Sequence, residues 1–139
     1  MNFLRSCMLT ASMLAMSVPA LAATNLTGNY LLTLSGHPSS VNGALLCAVL
    51  VENGSTLNFV NGGTLTLYNS TGQSISGVWF TKNHGVTFEA SQGTNFLTFS
   101  GLLGSPQITN TTWIEVNQNQ PLVGGTFTAQ KGACSPPAP

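Results

Sequence analysis

The stretch SISGVWFTKNHGVTFEA, residues 74–90, decides the fold of this chain. Two runs, Ser74 to Thr81 and Gly85 to Ala90, set apolar and aromatic residues between Ser and Thr. Asn83-His84-Gly85 separates them. Alternation at period two is the mark of a half-buried strand, and an Asn/Gly cluster between two such runs is the mark of a hairpin turn. One antiparallel hairpin is therefore readable here, and the rest of the chain has the same rhythm.

Leu26 to Ser35 reads as the first strand, with Tyr30, Leu32 and Leu34 on one face. Ala44 to Val51 reads as the second and Thr56 to Val60 as the third, and Asn61-Gly62-Gly63 reads as a tight hairpin turn into a fourth, Thr64 to Tyr68. After the opening hairpin come Asn95 to Ser100, Gln107 to Val116 and Val123 to Gln130. Pro106 and Pro121 stand at strand beginnings, where a missing N–H is tolerated. Helix signals are nearly absent after residue 23, and no fixed-period repeat occurs. The pattern is that of an all-β domain, a small antiparallel barrel or, alternatively, a β-sandwich.

Ala44 to Val51 breaks the alternation with eight successive apolar residues, Ala-Leu-Leu-Cys-Ala-Val-Leu-Val. Such a run fits a strand covered on both faces. If Cys47 points away from the core, so do Leu45, Val49 and Val51, and something must cover them. Cys134, in the proline-rich end of the chain, is the natural partner of Cys47. A bridge would close a loop of about 88 residues, for which chain entropy gives ~4.5 kcal/mol, and would lay the tail across that face as a strap. The plainer alternative is that it ties neighbouring strand ends.

The third cysteine, Cys7, lies in an N-terminal segment that reads as a secretory signal peptide. Arg5 supplies the positive charge, Cys7 to Val18 the apolar stretch, and Ala20-Leu21-Ala22 the small-residue cleavage site. Residues 1–22 are then the signal, 23–131 the β-domain and 132–139 a tail tethered by Cys134. The signal looks bacterial, which implies a secreted or periplasmic protein in an oxidising compartment. No later apolar run is long enough to cross a membrane as a helix.

Charge is the least ordinary feature. Only 4% of residues are charged, against about 25% in ordinary domains. Beyond the signal these are Lys82, Lys131, Glu52, Glu89 and Glu115. No basic stripe exists, so nucleic acid is excluded as a partner class on this reading, and electrostatic attraction to anionic membranes is equally unsupported.

Leu26-Thr27-Gly28-Asn29-Tyr30 followed by Leu34-Ser35-Gly36 resembles the opening of many small secreted bacterial β-domains. Phe99-Ser100-Gly101-Leu102 and Gly125-Thr126-Phe127-Thr128-Ala129 resemble their later segments, with an aromatic-bearing strand between, here Ile108 to Trp113. The order is similar to calycin-like up-and-down barrels, including lipocalin-like and avidin-like domains. The resemblance implies a meandering barrel of about eight to nine strands. Its core would hold Tyr30, Leu32, Trp79, Phe88, Phe99 and Phe127. Such barrels are filled with side chains or hold one small apolar ligand. The chain departs from lipocalins in having no Arg in the last strands to stack on the first-strand aromatic.

Chemistry-bearing residues are few. There is no Asp, so a Ser-His-Asp triad is impossible. No Gly-x-Ser-x-Gly elbow, His-Glu-x-x-His or phosphate loop occurs, and neither cysteine has a partner at metal-ligand spacing. His37 and His84 read as loop and turn residues. Glu89 and Glu115 alternate with apolar neighbours and read as solvent-facing, which argues against the paired carboxylates of a glycosidase. Trp79, Trp113, Tyr68 and Phe80 read first as core, with Trp113 the most exposed of them, sharing a face with Glu115. Four Asn-x-Ser/Thr sequons, at Asn25, Asn53, Asn69 and Asn110, carry no weight in a bacterial chain rich in these residues. The expectation is a secreted, non-enzymatic binding module without cofactor or metal. Its partner would be a small apolar molecule, a glycan or a protein, and Tyr30, Trp79, Trp113 and Phe127 are the candidate ligand contacts. The alternative is a structural or surface-associated protein acting through strand edges. Oligomeric state is not readable.

Overall fold

Eight antiparallel strands follow one another around a closed barrel in a computed structural model. They are β1 (Gly28–His37), β2 (Leu45–Thr56), β3 (Val60–Tyr68), β4 (Ser74–Lys82), β5 (Gly85–Gln92), β6 (Asn95–Leu103), β7 (Ile108–Asn117) and β8 (Val123–Lys131). A short 3-10 turn, Ser39–Val41, joins β1 to β2. The structure describes residues 26–56, 60–104 and 108–138. The segment read as a signal peptide and residues 57–59 of the expected third strand lie outside them.

Each strand pairs with the next, and β8 closes on β1 from Tyr30↔Lys131 to His37↔Gly124. The opening hairpin is as read. Lys82 pairs Gly85, and Asn83 and His84 both have positive φ, at 49° and 66°. Positive φ at both central residues is what a two-residue turn matching the strand twist requires, and Asn and His tolerate it better than most.

Eight strands form where nine were read, because Asn61-Gly62-Gly63 is no turn. These residues lie inside β3 and pair with Thr81, Phe80 and Trp79 of β4. β2 correspondingly runs past Val51 to Thr56, with a register shift between Glu52 and Ser55. The glycines serve closure instead. A Cβ on Gly63 would lie 1.8 Å from the Val51 carbonyl oxygen, so only glycine lets the backbones turn this sharply.

Inward rows fill the barrel. Leu32, Leu50, Leu65, Leu67, Trp79, Phe88, Phe99, Trp113 and Phe127 are all buried, and the Phe99 and Phe127 rings meet edge to face at 5.4 Å. All six residues expected in the core lie in it. Burial pushes the Tyr30 phenol above its ordinary value of 10.0. Lys131, last residue of β8, places its Nζ 5.8 Å from the Tyr30 ring centre, within cation–π range.

The tryptophans lock the barrel twice in the same way. Trp79 of β4 stands opposite Gly63 of β3, crosses it, and donates its indole N–H to the Val51 carbonyl of β2 at 3.2 Å. Trp113 of β7 stands opposite Gly125 of β8, crosses it, and donates to the Ser35 carbonyl of β1 at 3.1 Å. In both cases the glycine's missing Cβ would have met that same acceptor oxygen, at 1.8 and 1.9 Å. Trp113 is therefore 2% exposed and not the exposed aromatic expected from its polar neighbours. A neighbour's polarity says little about a strand position when the cross-strand partner is a glycine that leaves room for an indole.

Cys47 and Cys134 form the disulfide. Cys47 points outward between Leu46 and Ala48, yet is buried, because the tail lies over it. The tail starts at Gly132, whose N–H reaches the Asn29 carbonyl, and Pro137 comes beside Gly72 in the β3–β4 turn. It crosses the outer face of β2 and β3 as a strap. The cover is partial, since Leu45 and Val51 stay 48% and 47% exposed.

Candidate functional site

The barrel's two ends differ. One carries the Asn83-His84 turn and the last residue of β8. The other carries the β1–β2 connection, the β3–β4 turn at residues 69–73, the β5–β6 turn at 93–94 and the β7–β8 connection. At this second end the interior opens into a pocket of about 350 Å³. That is the lower end of the range for small-molecule sites.

Parity builds the pocket. Leu46, Leu67, Ile75 and Leu97 lie on the inward rows of β2, β3, β4 and β6, at the ends nearest the mouth, and form an aliphatic floor. Asn69, Gln73, Ser74 and Gln92 form a polar, uncharged rim. Hydrogen bonds stiffen the Asn69 side of that rim. Asn69 Oδ1 accepts from the Thr71 and Gln73 N–H groups at 3.1 and 2.9 Å and from the Thr71 hydroxyl at 2.8 Å. Its Nδ2 donates to Gln73 Oε1 at 3.0 Å. The Gln73 side-chain N–H₂ and the whole Gln92 amide have no partner among the described residues, so both can meet a ligand's hydroxyl, carbonyl or amide. Pro137 of the strap lies near Gly72 of the same turn.

Tyr30, Trp79, Trp113 and Phe127 all lie in the packed core, and none of them lines this pocket. Trp79 and Trp113 spend their only polar hydrogens on backbone carbonyls. The pocket residues went unnoticed in the sequence because each belongs to an ordinary alternating run. The available signal was positional: inward aliphatics within three residues of turns, most of whose edges carry Asn and Gln.

The titratable residues are scattered. His37 is exposed at the end of β1, and His84 sits in the turn at the end opposite the pocket. Glu89 is exposed on the outer face, opposite Val78. Glu115 does not face solvent as alternation suggested. It follows Trp113 on the inward row of β7, is half-buried, and stands directly opposite Leu97 of the pocket floor. The outward positions beside it are Ile114 and Val116, 43% and 45% exposed. The simple rule of apolar residues inward fails here because Trp113 sets the parity of the strand. Among the described residues no group of three or more His, Cys, Asp or Glu could hold a metal ion, and no helix is long and apolar enough to cross a membrane.

Comparison with family models, curated proteins and solved structures finds no match to this chain.

Proposed function

We propose that this is a secreted or periplasmic binding module, calycin-like in design, that takes one small amphipathic molecule at the open end of its barrel. The observation that carries this reading is the pocket: four aliphatic side chains below, and amide groups with unspent donors above. An apolar body would displace water from the floor, and a single polar group would be oriented by Gln73 and Gln92. The opposite half of the interior is filled by aromatic side chains, so the ligand is confined to the mouth. The disulfide fits an oxidising compartment.

Titration with the neutral fluorescent probe N-phenylnaphthylamine tests this. A saturable, one-to-one rise in fluorescence is expected for the wild type and its loss in Leu97→Trp, which fills the floor. Equal signal from both proteins would remove the pocket as the site.

A second reading, association through the surface, rests on Phe96 and Val116. They face each other across β6 and β7 on the outside of the barrel, both about half exposed. Closure of the sheet leaves the described strands paired on both sides, so association by strand edges loses its support.

A further inference from the structure

We infer that the ligand of this mouth carries a positive charge, a primary amine or equivalent cation on an apolar body, and that Glu115 is its counter-ion. This rests on the binding reading above and goes one step further, to the chemical class of the ligand.

β7 is built against its own hydrophobicity. From Trp113 to the mouth, its inward row reads Trp113, Glu115, Asn117, while its outward row carries Ile114 and Val116. A shift of one residue would exchange the faces, burying two aliphatics and freeing the carboxylate to solvent. The structure forbids that shift. The Trp113 indole bond to Ser35 and the Trp113↔Gly125 pair hold the register on one side. On the other, the irregularity between Ser100 and Leu102 resets β6 against β7 just before Thr112. The chain therefore keeps a carboxylate inside the barrel wall at the cost of two exposed aliphatic side chains. Such local conflicts with the folding pattern are where binding sites are found.

The carboxylate also lacks a partner. Among the described residues no cation or hydrogen-bond donor engages the Glu115 side chain. The lysines cannot serve it: Lys82 closes β4 and Lys131 closes β8, both at the far end of the barrel. Leu97, directly opposite, is part of the pocket floor, and residues so paired have Cβ atoms about 5 Å apart. Glu115 does not itself line the pocket but stands one strand beyond its floor, on the β7 side of Leu97, where the half-buried Asn95 and Asn117, also paired, continue the polar surface outward. An ammonium group seated beside Leu97 would meet this one inward charge of the open end and the oxygen atoms of the rim amides, while its chain lay on the floor.

Isothermal titration of the full mature protein with octylamine and with octanol, matched in length, tests the inference. At low salt the wild type should bind octylamine about tenfold more tightly than octanol, the size of a part-exposed charge-assisted contact. Salt should weaken only the amine. Glu115→Gln should erase the difference, bringing the octylamine affinity down to that of octanol. Equal affinities in the wild type, or a preference for the amine that survives Glu115→Gln, would overturn the cation inference and leave the pocket standing. Failure of both compounds to bind would overturn the pocket reading, and this inference with it.

Discussion

β4 and β7 carry the same device and then part company. Each presents an inward Thr and Trp two residues apart, Thr81 with Trp79 and Thr111 with Trp113, the Thr always nearer the end away from the pocket. Each Trp crosses a glycine on one neighbouring strand and bonds a carbonyl on the strand beyond. Each Thr hydroxyl bonds the backbone of that same glycine-bearing strand, Thr81 to the Asn61 carbonyl and Thr111 to Phe127. Toward the mouth the likeness ends. β4 continues inward with Gly77 and Ile75, β7 with Glu115 and Asn117. The shared part closes the barrel at two places on its wall, and the unshared part gives the mouth one apolar and one polar side. Structure that recurs is scaffold; the place where it stops recurring is the place to look for binding.

If the two locks are equivalent, their glycines should be equally intolerant. Gly63→Ala and Gly125→Ala each put a Cβ within 2 Å of a carbonyl oxygen, and each should cost about 3 kcal/mol or more in denaturant unfolding. A large loss at one site with none at the other would break the equivalence. Trp79→Phe and Trp113→Phe should each cost about 2 kcal/mol, from a lost indole hydrogen bond and unfilled volume. Their near equality is the sharper test, since neither substitution adds a clash.

The mouth positions should respond with opposite signs. Ile75→Glu, which gives β4 the polarity of β7, should destabilise by about 2 kcal/mol. Glu115→Leu, which gives β7 the polarity of β4, should stabilise by about 0.5–1 kcal/mol while abolishing any preference for amines, because a site kept for binding is seldom the most stable sequence. The smallest effect concerns Tyr30, whose phenol holds its proton more tightly in the folded chain than its ordinary value of 10.0. The stability this contributes is fully present below about pH 10 and declines as pH rises through the folded value. Melting curves of Tyr30→Phe should therefore lose part of the alkaline decline seen in the wild type.

The sequence showed the fold better than the site. Period-two alternation and the Asn83-His84 turn were enough to place most strands, because one face of each must be buried. The direction of Cys47 was not fixed by its eight-residue apolar run, which does not alternate; only the need for a cover on one face pointed to the tail. Asn61-Gly62-Gly63 misled, since a glycine pair marks a turn and a sharply bent strand equally well. Trp113 and Glu115 misled together. Their parity was read from the polarity of adjacent residues, whereas it is set by Gly125, which lies well downstream in the chain and is opposite Trp113 only in space. The pocket left only the faint positional signal of inward aliphatics close to turns, because a cavity is the absence of side chains between strands distant in sequence.

Native mass spectrometry of the mature protein from its own secretory compartment, beside Leu97→Trp prepared in the same way, tests the central claim most directly. The wild type should carry one additional non-covalent mass of small-molecule size, and the variant should not. Bare protein in both preparations, or an added mass that Leu97→Trp retains, would contradict a ligand held at this mouth.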